Sequence, residues 1–243
     1  MLLPLIKSHE SHCSVHFYHT PALRGYLKSI LPERWNEIIG LQHMKIYIFD
    51  NTLLISGANL SHDYFTNRQD RYLIVEDCKN LADFYDRLIE TVSQFSFQLN
   101  GSNELELDPN CKFHPYEKNA AEFTVEAREK IEDLLKEQHA RNPLNFHEDS
   151  RDTWIFPFIQ MGQLGIFKDN IYTEKIFKTV PSNAELSLAT GYFNLTQDYL
   201  DSILNMSQPN VHILMAHPTV SIKVFFFFFL TFSVFILSII TCS

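Results

Sequence analysis

The sequence predicts an α/β fold, a mixed sheet flanked by helices, on three observations. Short segments of alternating or wholly apolar character, such as HMKIYIF and TLLISG, interleave with longer segments whose apolar residues recur every three or four positions. The two kinds follow one another along the chain, the order that builds layers of strand and helix. Apolar residues make up 45% of the chain against only 7 glycines and 10 prolines, which fits a packed core rather than a disordered chain.

Each element has its own local reason. VHFYH, Val15 to His19, alternates as a strand, and TPALRGYLKSIL reads as a helix opened by Thr20 and Pro21. In HMKIYIF, His43, Lys45, Tyr47 and Phe49 share one face, while Met44, Ile46 and Ile48 share the other. Both faces are mostly apolar, which predicts a strand buried inside a sheet. Asp50-Asn51 suits a tight turn, TLLISG returns as a second strand, and RYLIVED, Arg71 to Asp77, reads as a third. NLADFYDRLIETVSQFSFQL follows as an amphipathic helix with Leu81, Phe84, Leu88, Val92 and Phe95 on its core face. Residues 100–118 read as a loop, and AEFTVEAREKIEDLLKEQHAR as a second helix whose charges form a solvated face. RNPLNFHEDSRDT resembles a linker. Beyond it, ELSLATGYF reads as a strand, NLTQDYLDSILN as a helix capped at Asn194, and VHILMA as one more strand.

The ends and the charge narrow the class. The opening MLLPLIKSHE is too short an apolar stretch for a signal peptide and lacks the Arg- and Ser-rich character of a transit peptide. From Val224 to Ile240, VFFFFFLTFSVFILSII carries no charge and just reaches the roughly 17 residues that a membrane-spanning helix needs. A membrane segment and a tail without a membrane role are the two expectations for it. A net charge of −9 counts against a nucleic-acid partner, which would require a basic face. Cys13, Cys78, Cys111 and Cys242 show no paired spacing, so a reduced compartment without a disulfide framework is expected.

Two clusters carry candidate chemistry. SHESHCSVHFYHT gathers His9, His12, Cys13, His16 and His19, but His16 and His19 point to opposite faces of a strand, so no metal is expected there. The second is His43 to Asn59. A histidine and a lysine on one strand face can converge on a single phosphate, the imidazole as nucleophile and the lysine as a point charge. Gly57 lets backbone approach a ligand, and Ser56 and Asn59 can donate hydrogen bonds to phosphoryl oxygens. Such chemistry is positional and electrostatic, and it needs no metal or other cofactor if side chains neutralise the charge. A carboxylate on the other ring nitrogen would fix the tautomer of the histidine, and Asp70 is the candidate. Taken singly, each residue has a plainer reading: a satisfied core histidine, a lysine reaching outward, and Asp50 as a turn former.

Taken together, the pattern HxK, four residues, Asp50, six residues, Gly57 and a closing Asn59 resembles the signature of the phospholipase D superfamily. GLQHMKIYIFDN, SGANLSHDYFTNRQDRY, DTWIFPFIQM and TGYFNLTQDYLD further resemble the mitochondrial phosphatidylglycerophosphate synthase family, from Met1 to about Pro218. The resemblance implies a phospholipase D-like fold and a double displacement through a phosphohistidine. CMP would leave CDP-diacylglycerol, and glycerol 3-phosphate would take the phosphatidyl group. It makes His43 one of a pair of histidines, nucleophile and acid, with Lys45 and Asn59 on the phosphate and Asp70 against the histidine. Asp50 is a motif residue with a mainly structural role. The resemblance also implies a mitochondrial setting, although the chain shows no transit peptide, and contact with a membrane lipid surface.

The family pattern carries HxK twice, whereas here His43 is the one histidine with a lysine two residues on. The expected organisation is therefore a first half at 1–105 with the motif, a helix and linker at 106–150, the start of a second half at 151–218, and an apolar tail at 219–243. Such a fold would be incomplete at both ends, the product of a splice variant or of gene prediction. This chain would then be inactive alone, pairing with a full-length enzyme or forming a homo-oligomer. Another phospholipase D-type phosphodiesterase and a non-catalytic membrane-associated fragment are the alternatives.

Overall fold

The computed structural model describes residues 2–9, 11–25, 42–141, 153–191, 195–206, 210–217 and 237–241. The fold is mixed α/β, and it divides into two compact units, Met1–Arg151 with Gln163–Gly165, and Asp152–Gly162 with Ile166–Ser243.

The first unit opens with a short helix, α1 (Leu3–Ser8), and a two-residue strand, β1 (His16–Phe17). A hairpin follows, β2 (Ile46–Phe49) and β3 (Thr52–Ser56), then α2 (His62–Thr66) and β4 (Tyr72–Val75). These strands form an antiparallel sheet in the order β2-β3-β4. Its register places Ile46, Ile55 and Leu73 in one row and Ile48, Leu53 and Val75 in another, all on one face. Fully buried Leu53 marks that face as the one packed on α3 (Lys79–Ser93), which contacts both β2 and β3. Tyr47, Leu54 and Ile74 align on the opposite face, with Phe49 and Thr52 beyond them and Ser56 and Tyr72 at the other end.

Helix α3 is amphipathic, and its apolar stripe does what its spacing predicts. Leu81, Phe84, Leu88 and Val92 are all buried, as is Phe95 just beyond the helix end. They meet Phe123, Ala127, Ile131 and Leu134 of α4 (Ala120–Arg141), which lies against α3. Phe95 and Phe123 pack edge to face with centroids 6.0 Å apart, and Tyr18 meets Phe95 in the same way at 6.1 Å. Burying each such side chain contributes about 1.5–3 kcal/mol, so this helix pair and the sheet face beneath α3 form the stable centre of the unit. The α3–α4 ion pair of Arg87 and Glu137 lies at the rim, where it adds little.

Several sequence expectations are corrected here. The strand expected over 43–49 begins at Ile46, and among the described strands it is an edge rather than a buried centre; Phe49 is 65% exposed. Both its faces are apolar, but among the described residues only one is covered. Thr20 to Gly25 are turn and bend rather than the start of a helix, while residues 26–31 of that expected helix lie outside the described residues. The helix expected to run through SFQL stops at Ser93. The Ser96 hydroxyl donates to the Val92 carbonyl at 2.7 Å, a local bond that competes with further helix. Phe97–Leu99 becomes β5, which pairs with β1 and with β6 (Leu105–Leu107), a strand inside the expected loop.

In the second unit β7 (Thr153–Pro157) pairs antiparallel with β12 (Leu237–Thr241). Between them come the small pair β8 (Gln160–Met161) and β9 (Ile166–Phe167), α5 (Lys168–Thr179), β10 (Glu185–Thr190), α6 (Gln197–Leu204) and β11 (Asn210–Met215). β10 and β11 pair in parallel, the connection passing through α6, and all six residues of β11 are exposed. The side chain of Thr196 caps α6 by accepting from the Tyr199 N–H at 3.4 Å; the expected cap, Asn194, lies outside the described residues. The expected linker is outside them over 142–152, and so is the apolar run over 224–236. Residues 237–240 of that run are strand, not helix, and no helix among the described residues is long and apolar enough to cross a membrane.

Candidate active site

The hairpin β2–β3 places the candidate residues. At its open end the Ser56 N–H donates to the Lys45 carbonyl at 3.3 Å, which extends the ladder one residue beyond β2 and sets Lys45 opposite Ser56. At its closed end Phe49 pairs with Thr52, so Asp50 and Asn51 are a two-residue turn. Asp50 holds φ at 52°, the left-handed region that Asp tolerates better than most residues. Along a strand rising about 3.3 Å per residue, the turn lies roughly 15 Å from Lys45. The structure therefore separates Asp50 from the other candidates and gives it the turn-forming role.

Lys45, Asn59 and Leu60 line one cavity of about 270 Å³ together with Gln42, Met44, Ile46 and Tyr47. Exposed His43 is tied to this site through its main chain, whose carbonyl accepts from the Lys45 ammonium at 2.9 Å. Half-buried Lys45 is pulled down to about 8 from the usual lysine value, chiefly by desolvation, while the charge of Asp70 acts in the opposite direction. An ammonium stripped of part of its water and left without full compensation is a ready acceptor of a phosphate charge.

Ser56 and Gly57 shape the rim. The Ser56 hydroxyl accepts from the Ala58 N–H at 2.9 Å, which orients it and leaves its own proton available to a ligand. A Cβ on Gly57 would lie 2.8 Å from Asp70 Oδ1, so the glycine is what lets that carboxylate approach the strand end. Asp70 Oδ1 also accepts from the Arg71 N–H at 2.7 Å. Thus Lys45, Ser56, Gly57, Asn59 and Asp70 gather at the open end of the hairpin. Gln42, Tyr47 and Leu60 are cavity walls that motif reading passed over. Tyr47 was legible, since it follows Lys45 by two on a strand. Among the described residues no group of three or more His, Cys, Asp or Glu side chains could hold a metal ion.

No family model and no solved structure matches this chain. Curated proteins do. The chain is 41% identical over 91% of its length to the mitochondrial CDP-diacylglycerol–glycerol-3-phosphate 3-phosphatidyltransferase of Mus musculus. It is 40% identical over the same share to the mitochondrial enzyme of that name from Homo sapiens. Against the Saccharomyces cerevisiae CDP-diacylglycerol–glycerol-3-phosphate 3-phosphatidyltransferase it is 36% identical over 83% of its length. The aligned part is 43% of the mouse and human proteins and 40% of the yeast one, so the chain spans less than half the length of these relatives, to which it is similar across nearly all of its own.

Proposed function

We propose that this chain carries a histidine–lysine half-site for phosphatidyl transfer from CDP-diacylglycerol to glycerol 3-phosphate, in the mitochondrial setting of its named relatives. The observation that carries this reading is the cavity shared by Lys45 and Asn59, with the Lys45 ammonium seated on the His43 carbonyl. A site for a phosphodiester needs that combination of cation, amide donor and adjacent nucleophile.

In the first step the His43 imidazole attacks the phosphorus that bears diacylglycerol. A P–N bond forms, the P–O bond to CMP breaks, and a second histidine from outside residues 43–59 gives CMP a proton. In the second step the hydroxyl of glycerol 3-phosphate attacks the same phosphorus and yields its proton to that second histidine. The P–N bond then breaks, leaving phosphatidylglycerophosphate and free His43. Lys45, Asn59 and the Ser56 hydroxyl hold the non-bridging oxygens, while Asp70 balances Lys45 and fixes the imidazole tautomer. A second copy of the chain, or a longer form of the enzyme, is the proposed source of the second histidine.

The test is covalent trapping. With CDP-diacylglycerol labelled at the diacylglycerol-bearing phosphate, acid-labile label is expected on His43 in the presence of a chelator. It should vanish in His43→Ala and form about 10²–10³-fold more slowly in Lys45→Ala. Label that persists in His43→Ala, or that needs added divalent metal, would refute the assignment.

A further inference from the structure

We propose that the outward face of α5 is a docking surface for an anionic lipid bilayer, an inference that stands independently of the phosphatidyl-transfer reading of the Lys45 site. The helix presents two opposite stripes. Asp169, Thr173 and Phe177, each four residues from the next, are buried. The Asp169 carboxylate accepts from the Thr173 hydroxyl at 3.3 Å, and Phe177 meets Tyr199 of α6 edge to face at 5.7 Å. On the other side Lys168, Ile171, Tyr172, Lys175 and Lys178 recur three or four residues apart, and all five are exposed. Ile171 is 43% exposed, neighbouring Ile176 42% and Tyr172 38%, so carbon as well as charge is left in water here.

The charge pattern identifies the occupant. The outer stripe holds three lysines and no carboxylate, in a chain whose net charge is −9. Of the two acids of the helix, Asp169 faces inward and Glu174 lies beside the stripe, bonded to Lys178. Among the described residues no carboxylate pairs with Lys168 or Lys175, and the Lys175 ammonium lies over the Tyr172 ring at 5.2 Å. Residues 153–167, which lead into the helix, carry no charge. Helix α6, which brings Asp198 and Asp201, packs on the buried side through Tyr199. A convex helix face on which cations alternate with apolar side chains matches a bilayer surface, where anionic headgroups overlie acyl carbon. Lysine stems lie along the apolar residues and carry their ammonium groups to the headgroups. Tyr172, stacked on Phe158 at 4.5 Å, has the amphipathic ring that favours the interface. An acidic peptide would satisfy the lysines and leave Ile171 and Ile176 in water.

The experiment measures partition of the full chain onto sedimented vesicles, either phosphatidylcholine mixed equally with phosphatidylglycerol or phosphatidylcholine alone. Far-ultraviolet circular dichroism verifies the folding of each variant. Wild type should bind the mixed vesicles and not the neutral ones, and added salt should weaken that binding. Lys168→Gln/Lys175→Gln should weaken it about thirty-fold, and Ile171→Ser about five-fold. Lys79→Gln/Lys136→Gln, which removes two exposed lysines of the first unit, should leave it unaltered. Equal losses in the two lysine pairs would show that net charge rather than this face governs binding, and would overturn the inference. No binding by wild type, equal binding to neutral vesicles, or unchanged binding in both α5 variants would also overturn it. A wild-type dimer that dissociates in Ile171→Ser, with vesicle binding unaltered, would assign the face to a second copy instead. Polyglutamate binding that is lost in Lys168→Gln/Lys175→Gln, without vesicle binding, would assign it to an acidic peptide. None of these outcomes bears on the Lys45 site, because the vesicles hold no CDP-diacylglycerol.

Discussion

The charge on Lys45 is the most direct handle on the site, and Asp70→Asn is the perturbation that tests it. Burial holds Lys45 at about 8, and the Asp70 carboxylate keeps it from falling further. Asp70 is exposed, so its screened attraction is worth no more than about 1 kcal/mol, or about 0.7 pH unit. Removing that charge should lower Lys45 below about 8, by no more than about 0.7 pH unit. At pH 7.5 the protonated fraction, about three quarters in the wild type, would then drop. Reductive ¹³C-methylation and a pH titration by NMR, with Lys45→Arg to assign the signal, read this directly. A wild-type Lys45 that titrates near the ordinary 10.5, or one that rises in Asp70→Asn, would refute the reasoning. The sign for stability follows. Between about 8 and 10.5 the folded chain binds fewer protons at Lys45 than the unfolded chain, so this residue's share of stability grows as pH rises through that window. Phosphate binding runs the other way, weakening above about pH 8 as the ammonium is lost.

Gly57→Ala should shift Lys45 in the same direction as Asp70→Asn, because the new Cβ displaces the Asp70 carboxylate. In the double variant its added effect should vanish, and a full additional shift in that NMR titration would show the two residues to be uncoupled. Asp50→Val should cost about 1–3 kcal/mol in urea unfolding, since a β-branched residue is forced to a φ of 52°; a loss as large in Asp50→Gly would contradict that cause. Leu88→Ala, at a fully buried position between α3 and its neighbours, should cost about 2–5 kcal/mol, and a change under 1 kcal/mol would show the helix pair to be loosely packed.

Where one physical force dominated, the sequence was readable. The α3 stripe was legible because Leu81, Phe84, Leu88 and Val92 repeat at helical spacing and all face one core. The gathering of Lys45, Ser56, Gly57 and Asn59 was legible because a two-residue turn fixes hairpin register, which brings residues eleven apart face to face. Elsewhere two forces competed. SFQL continues the apolar run of α3, and only pairing with β1 and β6 makes its end a strand. Helix α5 was missed because Ile171, Tyr172 and Ile176 remain exposed while Asp169, Thr173 and Phe177 are buried, which blurs any stripe. Asp70 was a candidate because a nucleophilic histidine wants a carboxylate, but its nearness to Gly57 depends on an absent Cβ, which that argument does not reach.

The parallel pair β10–β11 divides the molecule's response to opening. Parallel pairs are ordinarily covered on both faces, yet here every residue of β11 is exposed, including Val211, Ile213, Leu214 and Met215. Separating the two strands removes little apolar contact, so it should require only a fraction of the free energy of global unfolding. Amide protons of β10 and β11 would exchange through such local opening, whereas those around Leu88 in α3 would wait for the whole first unit to unfold. A protease should likewise cut within β11 long before α3 or α4 is touched. A single melting temperature would then average two separate transitions, and stability should be followed amide by amide instead.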